Sequence, residues 1–253
     1  MARSFDGVAD RFDETRSHPP EQMERMVSAL VEALSGDSMA LEVGVGTGRF
    51  AAPLSRKGLD IVGIDLSRGM LERARSKGLD GILQADAHAM PFRDGVFDHA
   101  LSVHVLHLVR DWMRVLEEVG RVTRGNLVSL ASGRTASQTH ELRETYEKAC
   151  AEEGFEICDL GIRERDLVEV VSPCETRVVS EYCIAVSAED LLEEYRSRCF
   201  SDQWGVPDEV HERAVRVLEE RLAGIEELER RESITMLVWS MDSIRDFVAS
   251  RRT

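Results

Sequence analysis

Three glycines at alternate positions, Gly44, Gly46 and Gly48, follow directly on a short apolar run at residues 39–43, and they constrain this chain more than any other feature. A strand that must run into backbone bare of side chains and then into a helix leaves that backbone open to a ligand near the helix amino end. A second apolar run, 59–64, ends in Asp65. A carboxylate at the carboxyl end of the next strand can accept two hydrogen bonds from the vicinal hydroxyls of a ribose. Together the two runs look like a nucleoside-binding site.

The glycine spacing separates the nucleoside ligands that use this architecture. In the dinucleotide fingerprint the third glycine comes three residues after the second, which leaves room for a pyrophosphate. Here Arg49 holds that position and the third glycine arrives one residue early. Beyond Asp65, Ser67 is placed to cap a helix whose apolar stripe is Met70, Leu71 and Ala74. Met70 is either core or a cover for one face of an adenine. Residues 81–87 read as a third, buried strand ending in Asp86, which is either an acceptor for an adenine amino group or a solvated loop carboxylate. A turn-rich stretch at 90–98 leads to a fourth strand at 99–103. Asp111 then caps a helix carrying Trp112, Val115, Leu116 and Val119, and a fifth strand follows at 126–131.

Over residues 5–132 this series resembles the class I methyltransferases that use S-adenosylmethionine (SAM), in particular the type 11 and quinone-biosynthesis members that act on small molecules. The matching pieces are Glu42-x-Gly44-x-Gly46-x-Gly48, Ile64-Asp65-Leu66-Ser67, Gln84-Ala85-Asp86-Ala87, Pro91-Phe92 leading to Phe97-Asp98, His107, Asp111-Trp112 and Arg121-Val122. The resemblance implies an α/β fold, a Rossmann-like doubly wound and mostly parallel seven-stranded sheet. It implies SAM as methyl donor, S-adenosylhomocysteine (SAH) as product, and direct in-line displacement as the reaction. Glu42, Gly44, Gly46, Gly48, Asp65, Leu66, Met70, Asp86, Ala87 and His104 are the implied cofactor contacts, with the negative charge of Glu42 suited to the ammonium group. His104 and His107, where the fourth strand leaves the sheet, are the catalytic candidates. Either imidazole can accept a proton from the acceptor or orient it, and His107 can equally be a packed structural residue. The turn Thr123-Arg124-Gly125-Asn126 departs from the family, which usually has a longer Pro-Gly-Gly turn there.

Composition narrows the partners. A net charge of -15 opposes approach to a polyanion, so nucleic acid is disfavoured. The fourth strand is not followed by the Asn/Asp-Pro-Pro-aromatic turn of enzymes that methylate nucleobase or glutamine amines. Cys150, Cys158, Cys174, Cys183 and Cys199 show no Cys-x-x-Cys pairing, so reduced thiols are expected, with no metal site. No apolar run approaches the roughly 20 residues that span a bilayer, and the opening residues lack a secretory hydrophobic region, so a cytoplasmic location is expected.

The remaining sequence divides into a SAM-binding core with an amino-terminal lid helix (1–132), a mainly helical insertion (133–230) and a final strand returning to the core (231–253). Phe12 or Arg16 is a candidate to close over the methionine tail, and Pro19-Pro20 start a helix through Leu34. Helices are expected at 139–153, 163–171, 188–199 and 207–230, a strand at 176–186, and a last strand at 233–239 on the sheet edge. The insertion is expected to form a lid lined by Trp112, Tyr146, Tyr195, Phe200 and Trp204, each of which is otherwise ordinary core. The expected activity is methyl transfer to a small molecule. The alternatives are a protein or tRNA methyltransferase, and a protein that binds SAM without turning it over.

Overall fold

The computed structural model describes residues 13, 18–34, 38–133 and 136–251. Phe12 and Arg16 lie outside the described residues. Helix α1 (Pro20–Leu34) opens at the second proline, whose missing N–H costs nothing in a first turn, and buries Met26, Val27, Leu30 and Leu34. Strands and helices then alternate: β1 (Met39–Val43), α2 (Ala51–Arg56), β2 (Asp60–Asp65), α3 (Arg68–Ser76), β3 (Ile82–Gln84), β4 (Phe97–Ser102), α4 (Trp112–Val122) and β5 (Thr123–Ser132). They are followed by α5 (Gln138–Glu152), α6 (Glu164–Leu167), β6 (Glu175–Ser187), α7 (Ala188–Arg196), α8 (Asp208–Leu222), β7 (Glu227–Ser240) and α9 (Met241–Ser250).

Seven strands form one sheet in the order β3-β2-β1-β4-β5-β7-β6, the expected doubly wound arrangement. β1 to β5 are parallel and β7 is antiparallel to β5. The order reverses between β1 and β4, the position at which open α/β sheets bind ligands.

The chain forms two compact units. The first takes the described residues up to Ser132, then Leu160–Ser180, then Ile234 onward. Alternate residues of its strands feed two apolar clusters: Ala40, Leu101, Val128 and Met236 enter one, and Leu41, Ala100, Leu127 and Leu237 the other. Both faces of a parallel sheet are thus covered, which is why its strands read as apolar runs. Segment Leu160–Ser180 is tied into this unit by Trp239, whose indole N–H donates to the Val171 carbonyl at 2.8 Å.

The second unit takes Gly133–Asp159 and Glu181–Ser233. Helices α5, α7 and α8 bury Leu142, Tyr146, Leu191, Tyr195, Ala214 and Leu218 around their own core. β6 and β7 each contribute residues to both units. Among the described residues, no helix is long and apolar enough to cross a membrane.

Four local expectations are corrected. The helix expected over 207–230 stops at Leu222, because Gly224 turns the backbone at φ 80° and the residues from Glu227 onward belong to β7. β7 does not lie on the edge; it is inserted between β5 and β6, and β6 takes the edge. β3 is a partly exposed edge strand rather than a buried one, with Leu83 open to solvent. Finally, Thr123-Arg124-Gly125-Asn126 is no turn. Helix α4 runs straight into β5, and at Gly125 a Cβ would stand 2.6 Å from the Asp98 carbonyl oxygen, so the backbones approach there without a side chain between them.

Candidate functional site

Register places the site. Val43 pairs with Ile64 on one side and Ser102 on the other, so the residues that follow these strand ends emerge together at the reversal of strand order. Gly44, Gly46 and Gly48 all have positive φ, at 69°, 55° and 75°. Their surroundings differ. A Cβ on Gly44 would fall 2.4 Å from Val105 Cγ2, and one on Gly48 would fall 2.5 Å from Leu79 Cδ1, so these two glycines allow close packing. A Cβ on Gly46 would meet nothing nearer than 4.0 Å, so the open face of the turn is there.

Asp65 closes this turn from the neighbouring strand. The Gly46 N–H donates to its Oδ2 at 2.9 Å, and the Ser67 N–H to its Oδ1 at 2.8 Å. Each carboxylate oxygen has two acceptor directions, so backbone donors fix the group while capacity remains for ligand hydroxyls. Ser67 also caps α3 by accepting the Met70 N–H at 3.2 Å. Leu66 stands 44% exposed beside Asp65, whereas Met70 is 2% exposed and part of the buried structure.

Glu42 lies just before the glycines and is 3% exposed. Burial lifts its carboxyl to about 8, opposed by the Arg49 guanidinium and by a hydrogen bond from the Ala51 backbone. The expectation of a standing negative charge is therefore corrected: burial outweighs the opposing Arg49 charge, and the group favours its protonated form near neutral pH. Its Oε2 is buried without a hydrogen-bond partner among the described residues. A buried polar oxygen left unsatisfied is costly, and a cationic donor arriving beside it would satisfy that oxygen and favour release of the carboxyl proton.

Asp86 follows β3. The His88 backbone N–H donates to its Oδ1 at 2.9 Å and the His88 ring nitrogen Nδ1 lies 2.6 Å away, which together hold its carboxyl below the usual range. Ala87 packs partly buried against the second core cluster. This loop is anchored from α4. Glu118 accepts the Met90 N–H at 2.8 Å, and Arg121 donates to the Met90 and Phe92 carbonyls at 2.9 and 2.8 Å while pairing with Glu118 and Asp94.

His104 and His107 sit together after β4, ring centroids 6.4 Å apart and nearly perpendicular. His104 has φ 59°, unusual for a residue with a side chain. Of the aromatic residues expected to line an acceptor pocket, Tyr146, Tyr195 and Phe200 pack as one series, with ring centroids 5.1 and 5.3 Å apart. Trp112 stacks on Phe247, Tyr146 and Tyr195 are core of the second unit, and Trp204 donates to the Arg198 carbonyl at 2.8 Å.

Sequence reasoning missed several residues. Thr47 Oγ1 donates to Asp13 Oδ1 at 2.6 Å and receives the Lys77 ammonium at 3.2 Å, so the glycine turn is tied to both α3's end and the amino-terminal side. His88 was missed although it stands two residues from Asp86. Glu164 is 3% exposed, and its Oε1 accepts the Val105 N–H at 3.0 Å. No local signal marks a partner 59 residues away.

Comparison with known proteins gives the same region. Residues 41–127 match the family model described as a methyltransferase domain. A demethylmenaquinone methyltransferase of Renibacterium salmoninarum is 34% identical over 135 residues, 51% of this chain and 56% of the relative. A malonyl-[acyl-carrier protein] O-methyltransferase of Halorhodospira halophila is 29% identical over 56% of this chain and 50% of its own length. The chain thus spans about half the length of these curated relatives. Among solved structures, a Thermotoga maritima SAM-dependent methyltransferase, described as a possible histamine N-methyltransferase, shares the fold at TM-score 0.52 and 20% identity, over 94% of this chain and 98% of that one.

Proposed function

We propose, for a chain that belongs through its methyltransferase domain to the class I SAM-dependent methyltransferases, that it moves the SAM methyl group to a small-molecule acceptor by in-line displacement. The observation that carries the donor is the pairing of an open backbone face at Gly46 with the fixed Asp65 carboxylate and the buried, unsatisfied Glu42 Oε2. These groups suit an adenosyl amino acid. Asp65 accepts the ribose hydroxyls, the Gly46 face admits the ligand against backbone, and Leu66 borders the base. Glu42 gives up its proton when an ammonium group arrives, since a neighbouring cation favours the charged form.

SAM supplies an already activated methyl on its sulfonium. The chain's task is then to hold the acceptor in line and keep water out, which needs position more than a strong base. His104 and His107 are assigned to orient the acceptor or take its proton at a ring nitrogen. Asp86 is assigned to the adenine amino group, with Ala87 beside it. The reaction is assigned to the cytoplasm. The relatives named above carry different acceptors in their names, which fits a common donor site with a variable acceptor side.

Incubation with methyl-labelled SAM and fractionated cell extract tests the reading. Label in a low-mass fraction supports it. Label in protein or tRNA supports the macromolecular alternative, and tight SAM binding without transfer supports a non-catalytic binder.

A further inference from the structure

The loop leaving β4 carries both candidate histidines, and its conformation is imposed from outside. His104 holds the left-handed conformation without being glycine, an arrangement that persists only where the surroundings over-determine it. Those surroundings come from Leu160–Ser180, within the same compact unit.

The contacts form a clasp. The Leu160 and Gly161 N–H groups donate to the His107 carbonyl at 3.0 and 3.1 Å. On the other side, the buried Glu164 carboxylate accepts the Val105 N–H at 3.0 Å, with the His104 and Leu106 N–H groups also directed to it. The fit at Gly161 is close: a Cβ there would stand 2.1 Å from the Leu106 carbonyl oxygen and 2.3 Å from that of Val109. Val105, held by its N–H, presses its side chain against Gly44. One carboxylate therefore governs the backbone that joins the histidine pair to the glycine turn.

We infer that Glu164 is a positioning residue for methyl transfer, setting the loop after β4 so that His104 faces the acceptor side while Val105 seals the glycine turn. The inference rests on the proposed transfer activity. Glu164 acts through the loop backbone and touches no reacting atom.

Three readings on the 253-residue chain test it: calorimetric SAH affinity, amide exchange at residues 104–106, and label transfer to the active low-mass fraction. In Glu164→Ala, exchange is expected to quicken by about tenfold or more and transfer to fall by about tenfold, with SAH affinity within about threefold of wild type. Glu164→Gln keeps an acceptor oxygen and is expected to recover most of the rate.

Wild-type exchange or wild-type transfer in the alanine variant would overturn the inference. So would a loss of SAH affinity as large as the loss of rate, because that pattern marks collapse of the donor site. If the alanine variant does not fold, Glu164→Asp, which withdraws the carboxylate by one methylene, decides by the same readings, with a roughly threefold drop in transfer expected. If the wild-type protein transfers no label, the activity proposal fails, and amide exchange in the variants still decides whether the clasp exists.

Discussion

The proposed donor site pairs Asp65, a carboxylate fixed by two backbone donors, with Glu42, buried with one oxygen unmatched. On the proposed reading, replacing Asp65 by Ala removes a charged acceptor for two ligand hydroxyls, each such bond being worth about 1.5–3 kcal/mol. SAH affinity measured by calorimetry should fall about 100-fold or more, and unchanged affinity would remove Asp65 from the site. Glu42 yields a prediction about pH. Its folded pKa, about 8, lies above the ordinary carboxyl value of 4.5, so the folded state keeps a proton that the unfolded chain releases. Stability from this group is complete below the ordinary value and declines as pH rises toward 8. Glu42→Gln, uncharged throughout, should gain on wild type between pH 5 and 8 by an amount on the order of a few kcal/mol in urea unfolding without ligand. A constant difference across that range would contradict the burial argument. The places of the glycines, Asp65 and Asp86 in the fold were legible because strand ends and turn residues carry local patterns. Protonation of Glu42 was not, since it depends on how completely the surrounding chain excludes water.

At the scale of elements, α4 does more than cover the sheet. Arg121 joins it to the loop that presents Asp86, and its hydrogen bonds hold the Glu118 carboxyl below the usual range. Arg121→Met should cost about 2–4 kcal/mol in urea unfolding, because it leaves much of the Glu118 charge uncompensated in a buried place. Adding Glu118→Met should return part of that loss, and additive losses in the double variant would deny the coupling. Strands β1, β2, β4 and β5 were readable as apolar runs between turn signals. Two elements were misjudged for identifiable reasons. Residues 223–230 are rich in Glu and Arg that suit a helix, yet Gly224 with positive φ marked the stop. Helix α9 passed unnoticed, although Ser240 caps it by accepting the Ser243 N–H at 3.2 Å and Ile244 and Val248 are buried.

For the whole molecule, a ligand bound by the folded state alone stabilises it by mass action, about 2.7 kcal/mol at 100 times Kd. SAH at that level should raise Tm by roughly 5–10 °C, and NADH at the same concentration should leave it unchanged. A shift with NADH instead would redirect the site to dinucleotides. The net charge of -15 predicts no tRNA binding tighter than about 10 μM at physiological salt, checked by filter retention. Strand order was legible only through family resemblance, because pairing between distant segments leaves no local pattern.

That order also governs when the sheet can be finished. β6 is made on the ribosome before β7, yet β7 is its neighbour and separates it from β5. Until residues 227–240 emerge, β5 keeps an open edge and β6 awaits its hydrogen-bonding companion. A nascent chain stalled short of that point displays one open sheet edge and one unpaired strand, the kind of surface that recruits chaperones or other nascent chains.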